Sequence, residues 1–288
     1  MFRRKMAFAG SWYPANPGRC EARIRDWLDR PLPGGAVSSR LGVVPHAGWT
    51  FSGALAARVF QALPADPEVE LAIVMGGHLS AGDPVVAMTE GSWETPFGAL
   101  PIFGGLRSSL ETLPNVIFED AHRHFEDNST ELQLPFVKFR WPGSQLLPLR
   151  VPPGAQALAV GRLLGEFIAA AGIRTVVIAS TDLTHYGPAY GFEPEGRGGK
   201  ALHWVRGEND RTFIEAMASG DSQEILRVAA QRRNACSPGA VAALNEIGRG
   251  ENATFHLLDY ATSQDVRPHD AENFVGYASG IFGTAADG

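Results

Sequence analysis

The sequence predicts an α/β protein with a mainly parallel or mixed central sheet and helices on both faces. Three short apolar runs rich in Val, Ile and Leu, at residues 41–44, 71–75 and 175–180, have the near-continuous apolar character of strands buried on both faces. Between them, apolar residues recur at the spacing of amphipathic helices. Strands that alternate with helices in this way are typical of α/β folds.

Two helices follow from this spacing. Leu55, Val59 and Leu63 share one face of a predicted helix between the first and second strands. A second predicted helix ends at Gly172, just before the third strand. Its apolar face comprises Val160, Leu163, Leu164, Phe167 and Ile168. Near the end of the chain, residues 253–262 and 273–282 predict two further strands of the same sheet.

Glycine and proline mark the irregular segments. Residues 84–88 and 100–103 predict a hairpin-like insertion, in which residues 91–98 connect the two strands. Loops are predicted at residues 31–35 and 187–199, where glycine and proline are dense.

The composition makes two classes of partner poor candidates. The chain has 288 residues, 44% of them hydrophobic, and a net charge of −6, and no basic run is interleaved with aromatic residues, so we do not expect it to bind nucleic acid. Neither end carries a long apolar segment or a secretory signal, so we expect no membrane partner and a cytoplasmic location. No linker and no repeat of fixed period divides the chain, and we expect a single domain over residues 1–288.

Histidines follow two of the predicted strands at the point where each strand ends. His46 follows residues 41–44 and His78 follows residues 71–75, each next to glycine or alanine. Ligands of open α/β sheets bind outside the carboxyl ends of the strands, so we expect these imidazoles to converge. Convergent imidazoles favour a metal or acid/base site. Alternatively, each histidine is a structural residue that hydrogen-bonds within the core.

An acid and a histidine follow the third strand. Asp182 and His185 are three residues apart, and a carboxylate beside an imidazole raises the imidazole's pKa and fixes its tautomer. The pair therefore predicts an acid/base group, His185, oriented by Asp182. Alternatively, Asp182 caps the next turn. Because the loop at residues 187–199 follows His185 directly, we expect it to lie over the site.

Cys236 precedes a predicted helix that starts with Ser237 as N-cap and Pro238 in the first turn. A helix N-terminus favours a thiolate, so we expect a lowered thiol pKa and a role as metal ligand or nucleophile. Alternatively, Cys236 is a small buried apolar residue. The other cysteine, Cys20, completes no CxxC motif with it.

Other polar clusters have simpler explanations. Ser129 and Glu131 precede an apolar run and are expected to cap it. His122 and His124 alternate with charged residues, which is typical of a solvated loop. The chain has no GxGxxG after its first strand, no GxSxG and no P-loop, so nicotinamide, flavin, hydrolase and phosphoryl-transfer functions lack a motif.

Six ordered segments resemble the MEMO family, also called AmmeMemoRadiSam system protein B. They are AGSWYP at 9–14, VVPHAGWTFSG at 43–53, GGH at 76–78, ELQLPF at 131–136, STDLTHYG at 180–187 and the late Cys236. The family's fold is similar to that of class III extradiol ring-cleavage dioxygenases, which use non-haem ferrous iron. The resemblance therefore implies the same α/β fold for this chain.

The resemblance also implies roles for particular residues. His46, His78 and Cys236 correspond to the metal-binding residues, and Asp182 and His185 line the same pocket. Iron(II) is the implied metal, and the thiolate makes the site soft enough for copper or zinc. Asn128 and Glu131 are further expected pocket residues. Independently of the resemblance, Trp49, Phe51 and Tyr186 are close to the ligands in sequence and are expected to supply an apolar wall.

The sequence departs from the family pattern at two places. Asn128 stands where the family usually has a histidine, so an amide replaces an imidazole in the pocket. After Cys236 the family commonly has glycine, whereas this chain has Ser237 and Pro238.

Two functions are consistent with this sequence. The first is a dioxygenase-like, non-haem-iron oxidoreductase acting on a small aromatic or other oxidisable molecule. The second is a non-catalytic metal-binding module that recognises a peptide or protein partner in the same cleft. Oxygen uptake with a bound redox metal favours the enzyme, and metal-independent partner binding favours the module.

Overall fold

A computed structural model describes residues 2–32, 39–65, 69–268 and 272–283. The strands are β1 (Arg3–Arg4), β2 (Leu41–Val44), β3 (Leu71–Gly76), β4 (Val85–Met88), β5 (Ser92–Thr95), β6 (Gly98–Pro101), β7 (Val116–Glu119), β8 (Gln145–Arg150), β9 (Thr175–Ser180), β10 (His185–Tyr186), β11 (Thr254–Thr262) and β12 (Phe274–Gly283). The helices are α1 (Pro17–Leu28), α2 (Trp49–Ala62), α3 (Arg107–Leu110), α4 (Asn128–Glu131), α5 (Leu134–Arg140), α6 (Ala155–Ala171), α7 (Gly199–Trp204), α8 (Asp210–Ser219), α9 (Ser222–Arg232), α10 (Pro238–Gly250) and α11 (Ser263–Val266). A π-helical turn at Val205–Asn209 joins α7 to α8.

A mixed sheet forms the centre of the protein. Its strands lie in the order β10-β12-β2-β9-β3-β8-β4-β7, and β11 pairs with β12. The four strands β2, β9, β3 and β8 are parallel, whereas β12 is antiparallel to β2 and β4 is antiparallel to β8. The prediction of a mainly parallel or mixed sheet is confirmed.

Side chains of the central strands alternate between two apolar cores. Along β3, Leu71 and Ile73 pack on one face with α6, α9 and α10, while Ala72 and Val74 pack on the other with α1, α2 and α5. Because neighbouring residues of a strand point to opposite faces, a strand that is apolar throughout needs helices on both sides. This is the arrangement that the continuous Val/Ile/Leu runs predicted.

The predicted pairing of the insertion is wrong. Val85–Met88 does not pair with the later strand but joins the central sheet as β4, between β8 and β7. Residues 91–98, which we expected to connect the two strands, contain β5, and β5 pairs with β6 through Trp93 opposite Leu100. Glycines at both ends of this segment gave it the composition of a turn, although its residues Ser92–Thr95 form a strand in which Trp93 is buried.

The remaining elements lie close to their predicted positions. The two late strands are β11 and β12, and they pair antiparallel to each other at one side of the sheet. Of the loop expected at residues 31–35, residues 33–35 lie outside the described residues. None of the described helices is both long enough and apolar enough to cross a lipid bilayer.

Candidate metal centre

The carboxyl ends of three neighbouring strands bring the candidate site together. β2, β9 and β3 are parallel and adjacent, so their chain ends meet at one edge of the sheet. His46 follows β2, Asp182 follows β9 and His78 follows β3, each two residues after the strand. The convergence that the sequence predicted for His46 and His78 is therefore present in the fold.

Glycine makes the turn before His78 feasible. A Cβ atom on Gly76 would lie 2.2 Å from the Ser129 hydroxyl oxygen. Gly77 has a φ of +105°, a backbone conformation that residues with a side chain rarely adopt. The close approach lets the Gly77 N–H donate to Ser129 Oγ at 2.8 Å. Ser129 thus fixes the turn rather than capping α4, whose N-cap is Asp127. The predicted capping role of Ser129 is wrong.

The side chains of His46, His78 and Cys236 form a cluster that could hold a metal ion. His46 Nε2 lies 3.1 Å from His78 Nε2 and 3.1 Å from Cys236 Sγ, and all three donor atoms lie within 4.8 Å of one another. Donors around a tetrahedral metal with bonds of about 2.0–2.3 Å are about 3.3–3.8 Å apart, so small side-chain shifts would suffice. Two imidazoles and a thiolate, formed when the cysteine loses its proton on metal binding, also suit zinc, copper and iron chemically.

Hydrogen bonding and burial prepare His46 for this role. Its Nδ1 lies 3.1 Å from the hydroxyl of Ser180, the last residue of β9, which leaves Nε2 facing the other two donors. Burial lowers the pKa of His46 to about 4, although the Asp182 carboxylate acts to raise it. The neutral imidazole, which is the form that binds metals, is therefore present at pH 7.

Two hydrogen bonds to the backbone of Asp182, two residues after β9, hold Cys236 beside His46. Its N–H donates to the Asp182 carbonyl oxygen, and its Sγ accepts the Asp182 N–H, both at 3.1 Å. Helix α10 begins at Pro238, directly after Ser237, as the sequence predicted. Burial, helped by the Asp182 charge, nevertheless raises the thiol pKa of Cys236 to about 12. The predicted lowering is wrong for the metal-free protein, because desolvation outweighs the helix N-terminus.

Asp182 and His185 do not form the pair that the sequence suggested. The Asp182 carboxylate accepts the backbone N–H of His46 at 2.7 Å, whereas His185 Nδ1 lies 3.1 Å from the Leu183 carbonyl oxygen. A carbonyl can only accept, so Nδ1 carries the proton and Nε2 is the basic nitrogen of neutral His185. Tyr190 packs edge-on against this ring, with 5.0 Å between the ring centroids.

The three histidines and Asp182 line a cleft of about 930 Å³. His46, His78, Asp182 and His185 line it together with Asn128, whose side-chain amide donates to the His46 carbonyl oxygen at 3.2 Å. The loop expected over the site contributes Tyr190. Aromatic side chains form a further part of the wall, namely Trp12, Phe51, Tyr190 and Tyr277.

Three expected pocket residues lie in the protein interior instead. Trp49 packs against Phe136 and donates its indole N–H to the Leu132 carbonyl oxygen. Tyr186 is stacked on Phe274, with ring centroids 5.0 Å apart. These two rings lie close to His46 and His185 in the sequence but not in the cleft, because the side chains of neighbouring residues point in different directions.

Glu131 is the third of these residues, and it anchors the start of the chain. Its buried carboxylate accepts the N–H groups of Ala7 and Phe8 at 3.0 and 2.8 Å and the Tyr13 hydroxyl at 3.0 Å. Burial raises the Glu131 pKa. The prediction that Glu131 caps its own helix is wrong. By fixing residues 7–13, it instead holds Trp12 at the cleft.

Sequence reasoning missed several residues of the cleft. Trp12 lies within the AGSWYP segment, so its position in a family motif was a usable signal. Arg267 and Tyr277 gave no signal, because they reach the cleft only through the pairing of β11 and β12. His122 and His124 are exposed, as predicted for a solvated loop.

The fold and the cluster together define an α/β protein with a candidate His/His/Cys metal centre at the carboxyl edge of its sheet. The chain belongs to the Memo-like protein family, whose family model matches residues 4–281.

Relatives agree with this assignment over nearly the whole chain. A MEMO1 family protein of Thermococcus onnurineus is 33% identical over 291 residues, which cover 97% of this chain and 99% of the relative. A MEMO1 family protein of Pyrococcus abyssi is 33% identical over 287 residues, covering 96% and 98% respectively. The crystal structure of an uncharacterized protein from Escherichia coli K12 has a TM-score of 0.51 at 10% identity and covers 84% of this chain and 99% of its own. That likeness concerns the fold alone.

Proposed function

We propose that this protein is a non-haem-iron oxidoreductase, dioxygenase-like in its chemistry, that acts on a small oxidisable molecule with an aromatic ring. The observation that carries the proposal is the position of the cluster. Three donor atoms lie within 4.8 Å of one another, and the two histidines that supply two of them line a 930 Å³ cleft, together with His185, which is no part of the cluster. A structural metal site is normally closed by four protein ligands, whereas three ligands leave positions for exogenous molecules.

His46, His78 and Cys236 would hold the metal. When bound, iron(II) supplies the redox chemistry and a Lewis acid for the substrate's oxygen atoms. We propose iron(II) because the family resemblance implies a likeness to the extradiol dioxygenases, which use iron(II), and the soft sulfur donor makes copper and zinc the alternatives. Metal analysis of protein purified without oxygen distinguishes among the three.

His185 would move the proton in this reaction. Its Nδ1 is committed to the Leu183 carbonyl, so Nε2 is free to accept a proton from a substrate hydroxyl and to return it later. The strand β10 fixes the backbone of His185, which pairs with Val275 of β12. Tyr190 restrains the ring from one side. Asp182 would act through the metal ligands rather than through His185.

The aromatic part of the wall supports the choice of substrate. Phe51 and Tyr190 line the cleft, and so does Tyr277, which has 2% of its surface exposed. Aromatic rings favour offset or edge-on contact with another ring, which adds to the apolar area buried.

Oxygen uptake tests the proposal. Metal-loaded protein is mixed with catechols and related phenols, and oxygen consumption is followed for the wild type, His185→Gln and the exposed-residue control His122→Gln. We expect one substrate to be turned over by the wild type and by His122→Gln. His185→Gln should keep its metal and lose about 10²–10⁴-fold in rate, the usual contribution of a positioned acid/base group. Normal turnover by His185→Gln would remove His185 from the mechanism.

One observation favours a second candidate, a module that recognises a peptide or protein partner. Trp12 and Tyr190 at the cleft are each 40% exposed, and exposed aromatic residues are common in binding surfaces. Two results together would favour this module over the enzyme. Iron-loaded protein would consume no oxygen with any compound of the screen, and partner binding would survive removal of the metal.

A further inference from the structure

Arg267 brings a positive charge to the cleft that contains the candidate metal centre. Its side chain is exposed and lines the same cavity as His46, His78 and His185. None of the roles proposed above uses this guanidinium.

The topology of the sheet explains why Arg267 lies there. β11 and β2 are both antiparallel to β12, so β11 runs in the same direction as β2. The carboxyl end of β11, at Thr262, therefore lies at the edge where His46 follows β2. The single turn α11 follows, closed at its start by a capping box between Thr262 and Asp265. Arg267 comes next and donates its backbone N–H to the Ser263 carbonyl oxygen at 2.9 Å.

The guanidinium rests on an aromatic ring and has no carboxylate partner among the described residues. Its Cζ lies 5.7 Å from the ring centroid of Phe51, which belongs to α2 and also lines the cleft. A cation–π contact of this kind uses no N–H donor of the guanidinium in a hydrogen bond, so these donors are available to a ligand. Most other arginines on the surface, such as Arg211 beside Glu215, are paired with an acid.

The charge of the cleft is otherwise neutralised or buried. Among the described residues that line it, Asp182 is the one carboxylate, and it is 3% exposed and bound to the His46 N–H. The accessible fixed charge in the cleft is therefore the positive charge of Arg267. A ligand with a matching negative group gains a charge-assisted hydrogen bond there.

A carboxylate fits this charge better than a phosphate. The planar guanidinium can form two parallel hydrogen bonds with the two oxygens of a carboxylate, and one positive charge balances one negative charge. A phosphate monoester carries about −1.5 to −2 at pH 7, so a single arginine would leave part of its charge uncompensated.

We propose that the cleft binds a small molecule with a carboxylate group, which Arg267 holds while the oxidisable end of the molecule reaches His46, His78 and Cys236. The identity of that reactive end rests on the proposed function. The carboxylate subsite rests on Arg267 and is measured by binding alone, without turnover.

Two ligands that differ only in charge test the proposal. 3,4-Dihydroxybenzoate and 3,4-dihydroxybenzamide are titrated calorimetrically, without oxygen, into metal-loaded wild type, Arg267→Gln, Arg267→Lys and the control Arg162→Gln. Arg162 is exposed on α6 and does not line this cleft. Metal content is measured on the same preparations, so that loss of metal is separated from loss of the subsite.

The wild type and Arg162→Gln should bind the benzoate about tenfold more tightly than the benzamide. In Arg267→Gln the ratio of the affinity for benzoate to that for benzamide should fall to about one, because only the binding of the benzoate becomes weaker. Arg267→Lys should give an intermediate ratio, because lysine keeps the positive charge but cannot form two parallel hydrogen bonds with the carboxylate. A ratio near one in the wild type, an unchanged ratio in Arg267→Gln, or no binding of either ligand by the wild type would overturn the proposal. Each of these results is independent of whether oxygen is consumed.

Discussion

The Asp182 carboxylate accepts a hydrogen bond from the backbone N–H of His46, with 2.7 Å between Oδ1 and the nitrogen. The backbone N–H of the same aspartate donates to Cys236 Sγ at 3.1 Å. A single residue after β9 therefore contacts two candidate metal ligands that lie 190 positions apart in the sequence. We infer that Asp182 fixes the geometry of the cluster.

Substitution of Asp182 should therefore weaken metal binding. Asp182→Ala removes the acceptor for the His46 N–H, and we expect the metal affinity to fall about 10–100-fold, the usual effect of losing a group that orients a ligand. Asp182→Asn keeps an oxygen acceptor and should do less harm. Competition with a chromophoric chelator measures the affinity, and Asp26→Asn, an exposed carboxylate on α1, is the matched control. An affinity unchanged in Asp182→Ala would show that the cluster is held by other contacts.

Glu131 should stabilise the start of the chain. In Glu131→Gln an amide N–H₂ replaces one carboxylate oxygen and faces the donors of Phe8 and Tyr13 or of Ala7. We expect the free energy of unfolding in urea to fall by about 1–3 kcal/mol and hydrogen exchange at the Ala7 and Phe8 amides to accelerate. Tyr13→Phe, which loses one hydrogen bond, should lose about 1 kcal/mol. Slow exchange at both amides in Glu131→Gln would contradict this anchoring role.

Another buried carboxylate, that of Asp210, contacts Thr184, the residue before His185. It accepts the Thr184 N–H at 3.0 Å, the Thr184 hydroxyl, and the Tyr260 hydroxyl at 2.7 Å. The neighbouring strand β12 has a glycine, Gly276, at this point, and a Cβ atom there would lie 1.9 Å from Asp210 Oδ2. Asp210 therefore positions the backbone that carries His185.

Burial raises the pKa of Asp210 from 3.8 to about 6, which predicts a pH dependence of stability. Between these two values the folded state binds more protons than the unfolded state, so stability falls as the pH rises. Relative to Asp210→Asn, which cannot titrate, the wild type should lose roughly 3 kcal/mol of unfolding free energy between about pH 4 and pH 7. Urea unfolding of both proteins across this range measures the difference. A difference that is flat, or that grows with pH, would contradict a raised pKa.

The sequence was sufficient to predict the features that depend on strand ends. The convergence of His46 and His78 could be predicted because parallel strands that are apolar throughout lie side by side, with their carboxyl ends at one edge of the sheet. Cys236 could be added only through the family resemblance, since nothing local links α10 to that edge.

The direction of side chains and the partners of buried polar groups could not be predicted. Trp49 and Tyr186 are next to cleft residues in the chain but point into the cores. Asp182 was expected to bond to His185, three residues away, yet its partner is a backbone group from another strand end. Arg267 depends on the direction of β11, which is set by long-range pairing. Such contacts are fixed by tertiary packing, which local spacing does not encode.

Metal stoichiometry tests the candidate centre most directly. Protein stripped with a chelator is titrated with iron(II) without oxygen, for the wild type, the double variant His46→Ala/His78→Ala and the control His122→Ala/His124→Ala, whose histidines are exposed and distant from the cluster in the chain. We predict one tightly bound ion per chain in the wild type and the control and none in the double variant, because Cys236 alone cannot hold it. Stoichiometric metal retained by His46→Ala/His78→Ala, or none bound by the wild type, would contradict the account.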